Sequence, residues 1–352
     1  MPASSAEFND RLLRACRREP VDCTPVWFMR QAGRALPEYR RLRERHSLFE
    51  LIRHPELAAA VTCLPVQVLG VDAAVLFADL TLPYLGLGVE FEVVESRGPV
   101  VARPFRSEAD IGRLRPLDPE SDLEFVLETI RLVRRELKVP LIGFVGAPFT
   151  LAAYLVEGGP SRDFPETRAL IYRRPDLWAR LMSILTESVT RFAAAQVRAG
   201  VQAVQVFDSW VGVLGPEAYA RWVLPYSAEV FRAIAGTGVP AIHFGTGTAG
   251  LLELMREAGG DVIGLDWRVE LGAAWARLGP GVGVQGNLDP AVLLGPFEVV
   301  AAEARRILRA AGGRPGHIFN LGHGVLPATP VDNLKALVDL VHTETCRGNE
   351  SG

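Results

Sequence analysis

The densest group of side chains able to bind a ligand lies in Met29-Arg-Gln-Ala-Gly-Arg34, near the start of the chain. Arg30 and Arg34 enclose small residues that allow a ligand to approach the backbone closely. Because a guanidinium group donates two parallel hydrogen bonds to a carboxylate, the spacing predicts a loop that binds a substrate with several carboxylates. A solvated surface loop with ordinary ion pairs is the alternative interpretation of the same residues.

Further residues offer chemistry at positions that the sequence leaves ambiguous. Asp79 closely follows the apolar run Ala74–Phe77 and is either a helix N-cap or a fixed anion in a ligand site. Tyr154 is either a core aromatic or a polar group above a cleft. His323 is flanked by two glycines, which favours a site role, whereas His243 lies inside an apolar run and is interpreted as a structural histidine.

One segment, Gly245-Thr-Gly-Thr-Ala-Gly250, matches the glycine pattern of dinucleotide-binding loops. It follows an apolar run, and Asp266 stands downstream at the end of the next run. The match lies in the second half of the chain and not in a first βα turn. A glycine-rich barrel loop is therefore the preferred interpretation, and a nicotinamide-dependent dehydrogenase is the alternative. No C-x-x-C or H-x-E spacing indicates a metal site.

The elements that must position these residues are short apolar runs separated by stretches of helical periodicity. Such runs are typical of strands buried on both faces of a parallel sheet. Eight of them alternate with helices, which predicts the α/β class, as a (β/α)8 TIM-type barrel that forms one domain over residues 1–352. The predicted strands are Val26–Met29, Ala74–Phe77, Leu141–Val145, Ala203–Phe207, Ala241–Phe244, Val262–Leu265, Val282–Val284 and His317–Leu321. The predicted helices include Asp122–Leu137, Arg173–Ala199, Glu217–Ala235, Leu251–Ala258 and Phe297–Ala311.

Two segments depart from this alternation. Val89–Val94 alternates in polarity, Gly98-Pro99 is typical of a turn, and Val100–Arg103 returns, so we expect a small β-hairpin inserted near residues 88–105. The residues from 347 onward are expected to form a frayed tail.

In a barrel of this type, the side chains that follow the strands gather at one end. Here those side chains are polar, and we therefore expect a deep polar cleft at that end. The residues concerned are Arg30, Gln31, Asp79, Asp208, Ser209, Asp266, Gln285, Asn287, Asn320 and His323.

Composition excludes several function classes. The net charge of −3 predicts no bulk attraction to nucleic acid or to an anionic membrane. Of the 38 basic residues only Lys138 and Lys335 are lysines, which disfavours Schiff-base and pyridoxal-phosphate enzymes. The polar first ten residues lack the pattern of a secretory signal. Four cysteines are too few for a disulfide scaffold, and we expect a cytoplasmic protein.

From Met29-Arg-Gln-Ala-Gly-Arg34 onward, the chain resembles the uroporphyrinogen decarboxylase family along nearly its whole length. The resemblance is carried by several motifs in the family's order. They are Met29-Arg-Gln-Ala-Gly-Arg34, Leu36-Pro-Glu-Tyr-Arg40, Gly143-Phe-Val-Gly-Ala-Pro-Phe-Thr-Leu151, Glu157-Gly-Gly159, Val206-Phe-Asp-Ser-Trp210, Gly264-Leu-Asp-Trp267, Val284-Gln-Gly-Asn-Leu-Asp289 and Asn320-Leu-Gly-His-Gly324.

The resemblance implies a cytoplasmic (β/α)8 homodimer that removes CO2 from the four acetate side chains of uroporphyrinogen III, giving coproporphyrinogen III, without cofactor or metal. It implies catalytic roles for Asp79, Arg30 and Arg34, with Asp79 hydrogen-bonded to the pyrrole N–H groups and one arginine as the family's proposed proton donor. It also implies a substrate site formed by Arg30, Gln31, Ala32, Gly33, Arg34, Phe49, Asp79, Tyr154, Ser209 and His323.

Two other functions remain as alternatives on the sequence. One is a corrinoid-linked methyltransferase of the same barrel superfamily, whose relatives generally hold zinc with His and Cys, an arrangement that the placement of the four cysteines disfavours. The other is a carrier that binds a tetrapyrrole through its arginines without turning it over.

Overall fold

The computed structural model describes residues 8–94 and 98–346. Its main sheet has seven parallel strands, and each is hydrogen-bonded to the next one of this sheet along the chain. Each predicted run from Ala74 onward forms one of these strands, in most cases with bounds that differ by one to three residues. The bounds are β1 Ala74–Val75, β4 Leu141–Gly146, β5 Ala203–Asp208, β6 Ala241–Gly245, β7 Val262–Gly264, β8 Gly283–Gln285 and β9 His317–Ile318.

The run predicted as the first strand, Val26–Met29, is not part of this ladder, but it lies between the two ends of the sheet. Val26 forms an isolated parallel bridge with Phe319, just beyond β9. On its other side, the N–H of Asp72, just before β1, donates to the carbonyl of Val26 at 2.8 Å. The segment therefore occupies the position of an eighth barrel strand, with few main-chain pairs of its own.

Helices fill the connections between the strands, as the periodicity predicts. Phe297–Ala311 is helical over its predicted range, and most other helices begin or end within two residues of prediction. The helices are α1 Arg11–Cys16, α2 Pro37–Arg43, α3 Leu48–Arg53, α4 Pro55–Leu69, α5 Pro83–Leu87, α6 Glu108–Ile111, α7 Pro119–Asp122, α8 Glu124–Glu136, α9 Pro148–Glu157, α10 Pro165–Arg173, α11 Pro175–Ala199, α12 Pro216–Trp222, α13 Leu224–Ala235, α14 Leu252–Ala258, α15 Leu271–Leu278, α16 Phe297–Ala311 and α17 Val331–Thr345. Val211–Val213 and Pro290–Leu294 form short 3-10 helices.

The predicted helix Glu217–Ala235 is wrong as a single element, because the chain breaks at Val223 between α12 and α13. Pro225 has no N–H to donate to the preceding turn, and its ring is incompatible with a continuous helix there. The carbonyl of Trp222, which the break frees, accepts a hydrogen bond from the indole of Trp178 at 3.0 Å.

The inserted hairpin is present as two antiparallel strands, β2 Phe91–Val94 and β3 Gly98–Val101. The predicted turn at Gly98-Pro99 is wrong, because these residues begin β3 and pair with Val94 and Val93. Residues 95–97, which connect the two strands, lie outside the described residues. The hairpin docks on the end of α9, where the N–H of Val101 donates to the carbonyl of Gly158 at 2.9 Å. It thereby contributes to the wall of the cavity described below. The tail from 347 also lies outside the described residues.

The end of the barrel where the strands begin is held by a hydrogen-bonded carboxylate. Buried Asp72 accepts hydrogen bonds from Asn9, Arg11 and the N–H of Val26, and its Oδ2 lies 2.7 Å from Nε2 of His342. Burial alone raises the pKa of Asp72, but its bonds, led by that to His342, outweigh burial and hold the pKa below its usual value. Asp72 therefore links α1, α17 and the segment Val26–Met29, which is called the Val26 segment below.

A disulfide joins Cys23 to Cys346 at the same end, 323 positions apart. Cys16 and Cys63 are buried thiols. One bridge is not a scaffold, but the cysteine count alone does not indicate that the first and last barrel elements are covalently linked. Within residues 8–94 and 98–346, no helix has both the length and the apolar character needed to span a membrane.

Candidate active site

A cavity of about 580 Å³ lies where the barrel strands end. Its wall includes residues of the Val26 segment, of the hairpin, and of the loops after β1, β4, β5 and β9. Its lining consists of Trp27, Met29, Arg30, Ala32, Arg34, Val75, Leu76, Phe77, Ala78, Asp79, Leu80, Thr81, Val93, Gly98, Pro99, Phe144, Tyr154, Pro160, Phe207, Ser209, Trp210, Phe244, His323 and Gly324. Seven of the residues predicted for the substrate site are among them.

The cavity is less polar than the sequence predicts, because aromatic side chains from successive strands form much of its wall. Phe144, Phe207 and Phe244, on β4, β5 and β6, pack edge to face with ring centroids 5.6 and 5.9 Å apart. Against this apolar surface, few charged groups remain, and the electrostatics of the described part of the cavity depend chiefly on Arg30, Arg34 and Asp79.

Arg30 and Arg34 both line the cavity, in a loop whose shape depends on close backbone contacts. Arg30 has a positive φ of 60°, which L residues rarely adopt. A Cβ on Gly33 would lie 2.7 Å from the carbonyl oxygen of Arg30, and a Cβ on Gly324 would lie 2.5 Å from its Cδ. Among the described residues, the guanidinium of Arg30 forms no hydrogen bond or ion pair, so it is available to a ligand.

Three predicted substrate contacts lie outside the described lining of the cavity. Gln31 is buried, and its amide accepts from the N–H of Phe28 and donates to the carbonyl of Ala73. Gln31 therefore holds the loop that carries Arg30 and Arg34, on the side away from the cavity lining. Gly33 allows the carbonyl of Arg30 to lie close to its Cα, as described above. Phe49, on α3, packs edge to face on Phe91 of the hairpin at 5.7 Å.

Asp79 is not a helix N-cap, because Leu82 is the N-cap of α5 and no side chain of the described residues caps that helix. Its Oδ1 accepts hydrogen bonds from the N–H and the hydroxyl of Thr81, which fix the carboxylate in a turn of the loop that leads to α5. Its Oδ2 accepts no hydrogen bond from the residues that the structure describes, and the side chain lines the cavity. One oxygen therefore orients the carboxylate and leaves the other available to a ligand.

Tyr154 and His323 are uncharged polar groups in the same cavity. Burial raises the pKa of Tyr154 to about 12, so its hydroxyl remains protonated at neutral pH. Burial, together with the charges of Arg30 and Arg268, lowers the pKa of His323 to about 4. His323 is therefore a neutral imidazole at neutral pH, able to donate from one nitrogen and accept at the other.

Most of the other polar residues at the strand ends hold loops in place. Asn320 Oδ1 accepts from the N–H of Met29 at 3.2 Å, and Asn287 donates to the carbonyls of Asp266 and Val269. Gln285 joins Trp27 to Gln205 through its side-chain amide. Asp208 is buried and receives the hydroxyl of Thr150 at 3.3 Å.

His243 is a buried structural residue, as the sequence predicts, although only one of its nitrogens is bonded. Its Nδ1 lies 3.2 Å from the carbonyl of Met255, and its Nε2 lies 3.8 Å from Oδ2 of Asp208 without forming a hydrogen bond.

The glycine motif at 245–250 has an internal partner that a dinucleotide loop does not have. The N–H of Gly247, of the kind that binds a phosphate in such loops, donates to Oδ2 of Asp266 at 2.6 Å. A carboxylate therefore occupies the place of an anion, and the loop closes on the protein itself. This contact removes the physical basis of the dehydrogenase interpretation.

Several lining residues were not identified from the sequence. Trp210 packs edge to face on Tyr154 with centroids 5.9 Å apart, and Gly324 has no side chain that would displace Arg30. Val93 and Pro99 are the residues through which the hairpin lines the cavity. The adjacent motif residues Ser209 and His323 were signals for the first two. Nothing in the alternation of the hairpin indicates which of its faces meets the cavity.

No three His, Cys, Asp or Glu side chains within the described ranges are grouped as ligands to a metal ion would be.

Known structures share this fold. A methyltransferase from Methanosarcina mazei superposes with a TM-score of 0.78 at 23% identity, over 96% of this chain and 99% of that protein. A B12-independent methionine synthase from Shewanella gives a TM-score of 0.55 at 15% identity, over 84% and 90% of the two chains. At these identities the likeness concerns the fold alone, and it agrees with the predicted barrel.

Sequence comparison identifies the family. The sequence model of uroporphyrinogen decarboxylase matches residues 7–344. Uroporphyrinogen decarboxylase from Thermus thermophilus is 57% identical over 95% of this chain and 97% of its own, and that from Sorangium cellulosum is 55% identical over 95% and 96%. That from Streptomyces coelicolor is 54% identical over 97% of each chain. The chain belongs to the uroporphyrinogen decarboxylase family.

Proposed function

We propose that the cavity at the strand ends is where this chain, a carboxy-lyase of that family, converts uroporphyrinogen III to coproporphyrinogen III. The observation that carries the assignment to the cavity is that Arg30, Arg34 and Asp79 meet in it. Guanidinium groups suit the peripheral carboxylates of the substrate, and a carboxylate suits its inward-pointing pyrrole N–H groups.

The chemistry that such a site must assist is the loss of CO2 from an acetate on a pyrrole ring. Protonation of the adjacent ring carbon makes the pyrrole a cationic electron sink. The bond to the carboxylate carbon then breaks, CO2 leaves, and its electron pair neutralises the ring. The exocyclic carbon takes a proton and the ring carbon loses one, so the net change replaces –CH2–COO⁻ and one H⁺ by –CH3 and CO2.

Asp79 is the residue to which we assign stabilisation of the cationic ring. Its Oδ1 is already held by Thr81, so the carboxylate needs little reorganisation as charge develops. A fixed negative group of this kind stabilises the transition state more than the neutral pyrrole. The aromatic wall of Phe144, Phe207 and Phe244 excludes water from one side and strengthens that interaction.

To Arg30 and Arg34 we assign the binding of acetate and propionate carboxylates. Arginine hardly ever loses its proton in proteins, so the proton for the ring carbon comes from a water or hydronium ion held near these groups. Tyr154, Ser209 and neutral His323 supply hydrogen-bonding groups for the substrate without adding charge. Ala32 adds a small apolar contact in the same loop.

The finer parts of this proposal are a cytoplasmic homodimer and a reaction without cofactor or metal. They rest on the family resemblance and on the pyrrole as the electron sink. Light scattering on a size-exclusion column measures the dimer, cell fractionation tests the location, and activity after exhaustive chelation tests metal independence.

An anaerobic assay with uroporphyrinogen III, followed by chromatography of the oxidised products, tests the function. We expect porphyrins with seven, six, five and four carboxylates to appear in succession. Unchanged octacarboxylate that co-elutes with the protein would instead identify a carrier. Arg34→Ala should raise KM, and an unchanged KM would place Arg34 outside the substrate site.

A further inference from the structure

The substrate carries more negative charge than the described cavity lining neutralises. Uroporphyrinogen has eight carboxylates, whereas the permanently cationic groups in the described lining are Arg30 and Arg34. Carboxylates that are left unpaired at the edge of a partly apolar cavity are costly unless they reach water or another cation. The rim of the cavity is therefore where a further cationic residue is expected.

Arg268 stands at this rim, on the loop after β7. The neighbouring ring of Trp267 packs edge to face on His323, which lines the cavity, with centroids 6.1 Å apart. The two loops are in direct contact, because a Cβ on Gly322 would lie 2.2 Å from the backbone nitrogen of Trp267. The charge of Arg268 also contributes to the lowered pKa of His323.

The guanidinium of Arg268 is held in place before any ligand arrives. It stacks on the ring of Trp267 at 3.9 Å and donates to Oδ2 of Asp266 at 2.7 Å. Asp266 is itself buried and held by the N–H groups of Gly247 and Arg268. A side chain fixed in this way loses little conformational freedom on binding a ligand.

Arg268 nevertheless keeps the capacity to bind a further anion. A guanidinium has five N–H donors, and the bond to Asp266 uses one of them. The side chain is 52% exposed, in contrast to the 1% exposure of the Asp266 side chain that anchors it. The anchored charge therefore has donors that solvent, or a carboxylate, can reach.

We propose that Arg268 is a third carboxylate-binding arginine, which engages a peripheral carboxylate of the tetrapyrrole at the rim beside His323. This inference rests on the proposed function for the identity of the substrate. It assigns to Arg268 a role in affinity and capture and no role in the bond-breaking step, since Arg268 lies outside the described lining of the cavity.

A set of three variants tests the proposal. Arg268→Gln removes the charge, and Arg268→Lys retains it. Arg174→Gln is the matched control, because Arg174 also pairs with an aspartate two positions away, at 2.6 Å, with 47% of its side chain exposed, outside the described cavity lining. The measurements are kcat and KM for uroporphyrinogen III at low and high ionic strength, binding of uroporphyrin III by fluorescence quenching, and Tm.

We expect Arg268→Gln to raise KM, and the Kd for uroporphyrin III, by about three- to tenfold at low ionic strength, with kcat within about twofold of wild type. The increase of KM with salt should be shallower in Arg268→Gln, because one screened ionic contact is gone. Arg268→Lys should recover most of the affinity, and Arg174→Gln should behave as wild type.

Two results would overturn the proposal. One is an Arg268→Gln protein whose KM, Kd and salt dependence match those of Arg174→Gln. The other is a loss of Tm and kcat with an unchanged salt dependence, which would identify Arg268 as a structural partner of Asp266. If wild type leaves uroporphyrinogen unchanged, the proposed function fails, and the uroporphyrin-binding comparison alone then decides the role of Arg268.

Discussion

At the end of the barrel where the strands begin, Asp72 has a partner on both oxygens, whereas at the end where they finish, Asp79 has donors on one oxygen only. Both carboxylates border β1, and both are hydrogen-bonded to the protein. The difference is that Oδ2 of Asp79 accepts no hydrogen bond from the described residues and that the unpaired guanidinium of Arg30 lines the same cavity. Satisfied polar groups stabilise a fold, and groups left available in a preorganised pocket serve a ligand.

The largest effect that this comparison predicts is on turnover in Asp79→Asn. The amide retains the size of the side chain and an oxygen for Thr81, but it removes the negative charge that we assign to the cationic ring. We expect kcat to fall by about a thousandfold with Tm nearly unchanged. Steady-state kinetics and calorimetry measure the two quantities, and a wild-type kcat would refute the assigned role.

The same substitution at the other end should have the opposite result. In Asp72→Asn, an NH2 group replaces an oxygen that faces two donors, and the charge that attracts Arg11 is lost. We expect the free energy of unfolding to fall by about 3 kcal/mol, with kcat within about twofold of wild type. Urea unfolding and the product assay test this pair of expectations. A selective loss of kcat would mean that the two ends are functionally coupled.

A third prediction concerns acid and the buried His317, which lies in β9 near the start of that strand. Burial lowers its pKa from 6.5 to about 4, so between these values the unfolded chain binds a proton that the folded chain does not. Stability therefore falls as the pH drops from 6.5 towards 4, and this residue accounts for about 2 kcal/mol at pH 5 relative to pH 7.

The variant His317→Gln cannot take up that proton and should lose less stability than wild type over the same interval. Urea unfolding at pH 7 and pH 5 provides the comparison, with the pH 7 value of each protein as its own reference. Equal losses in the two proteins would show that another group dominates the acid response.

The smallest predicted effect concerns the position of the Arg30 guanidinium in the cavity. In Gly324→Ala, the new Cβ would lie 2.5 Å from Cδ of Arg30, so that side chain must move. We expect KM to rise by about three- to tenfold with a small change in kcat, since about 1 kcal/mol of binding is lost. Gly250→Ala is the control, because its Cβ would meet nothing within 4 Å. Equal KM values in the two variants would contradict the prediction.

The parts of the fold that were predictable depend on local patterns. The strands around the cavity are apolar runs in the sequence, and Phe297–Ala311 has helical periodicity. Burial of a strand on both faces, or of a helix on one face, imposes these patterns directly. Helical periodicity does not indicate the break at Val223, although Pro225 is a local signal for it. The apolar periodicity continues on both sides of Pro225 and therefore favours a single helix.

The parts that were not predictable depend on contacts between distant segments. Gln31 belongs to the arginine motif, yet its amide turns to the backbone of Ala73. Asp266 stands where the acidic residue of a dinucleotide site would stand, yet its carboxylate accepts the N–H of Gly247. In each case the polar side chain is bonded to a backbone group that is distant in the sequence. The spacing of residues does not show such a contact, which determines whether the side chain stabilises the fold or is available to a ligand.

The bond between Cys23 and Cys346 makes residues 23–346 of the oxidised protein a covalent ring. A single backbone cleavage in a loop of that ring leaves one molecule, with new ends at the cut. Three residues after Cys23, Val26 lies between the two ends of the sheet, where it bridges Phe319 and accepts the N–H of Asp72. The disulfide and these hydrogen bonds therefore join the first and last barrel elements at the same end. We expect circular permutants that are opened at exposed loops to keep every strand neighbour of the native chain.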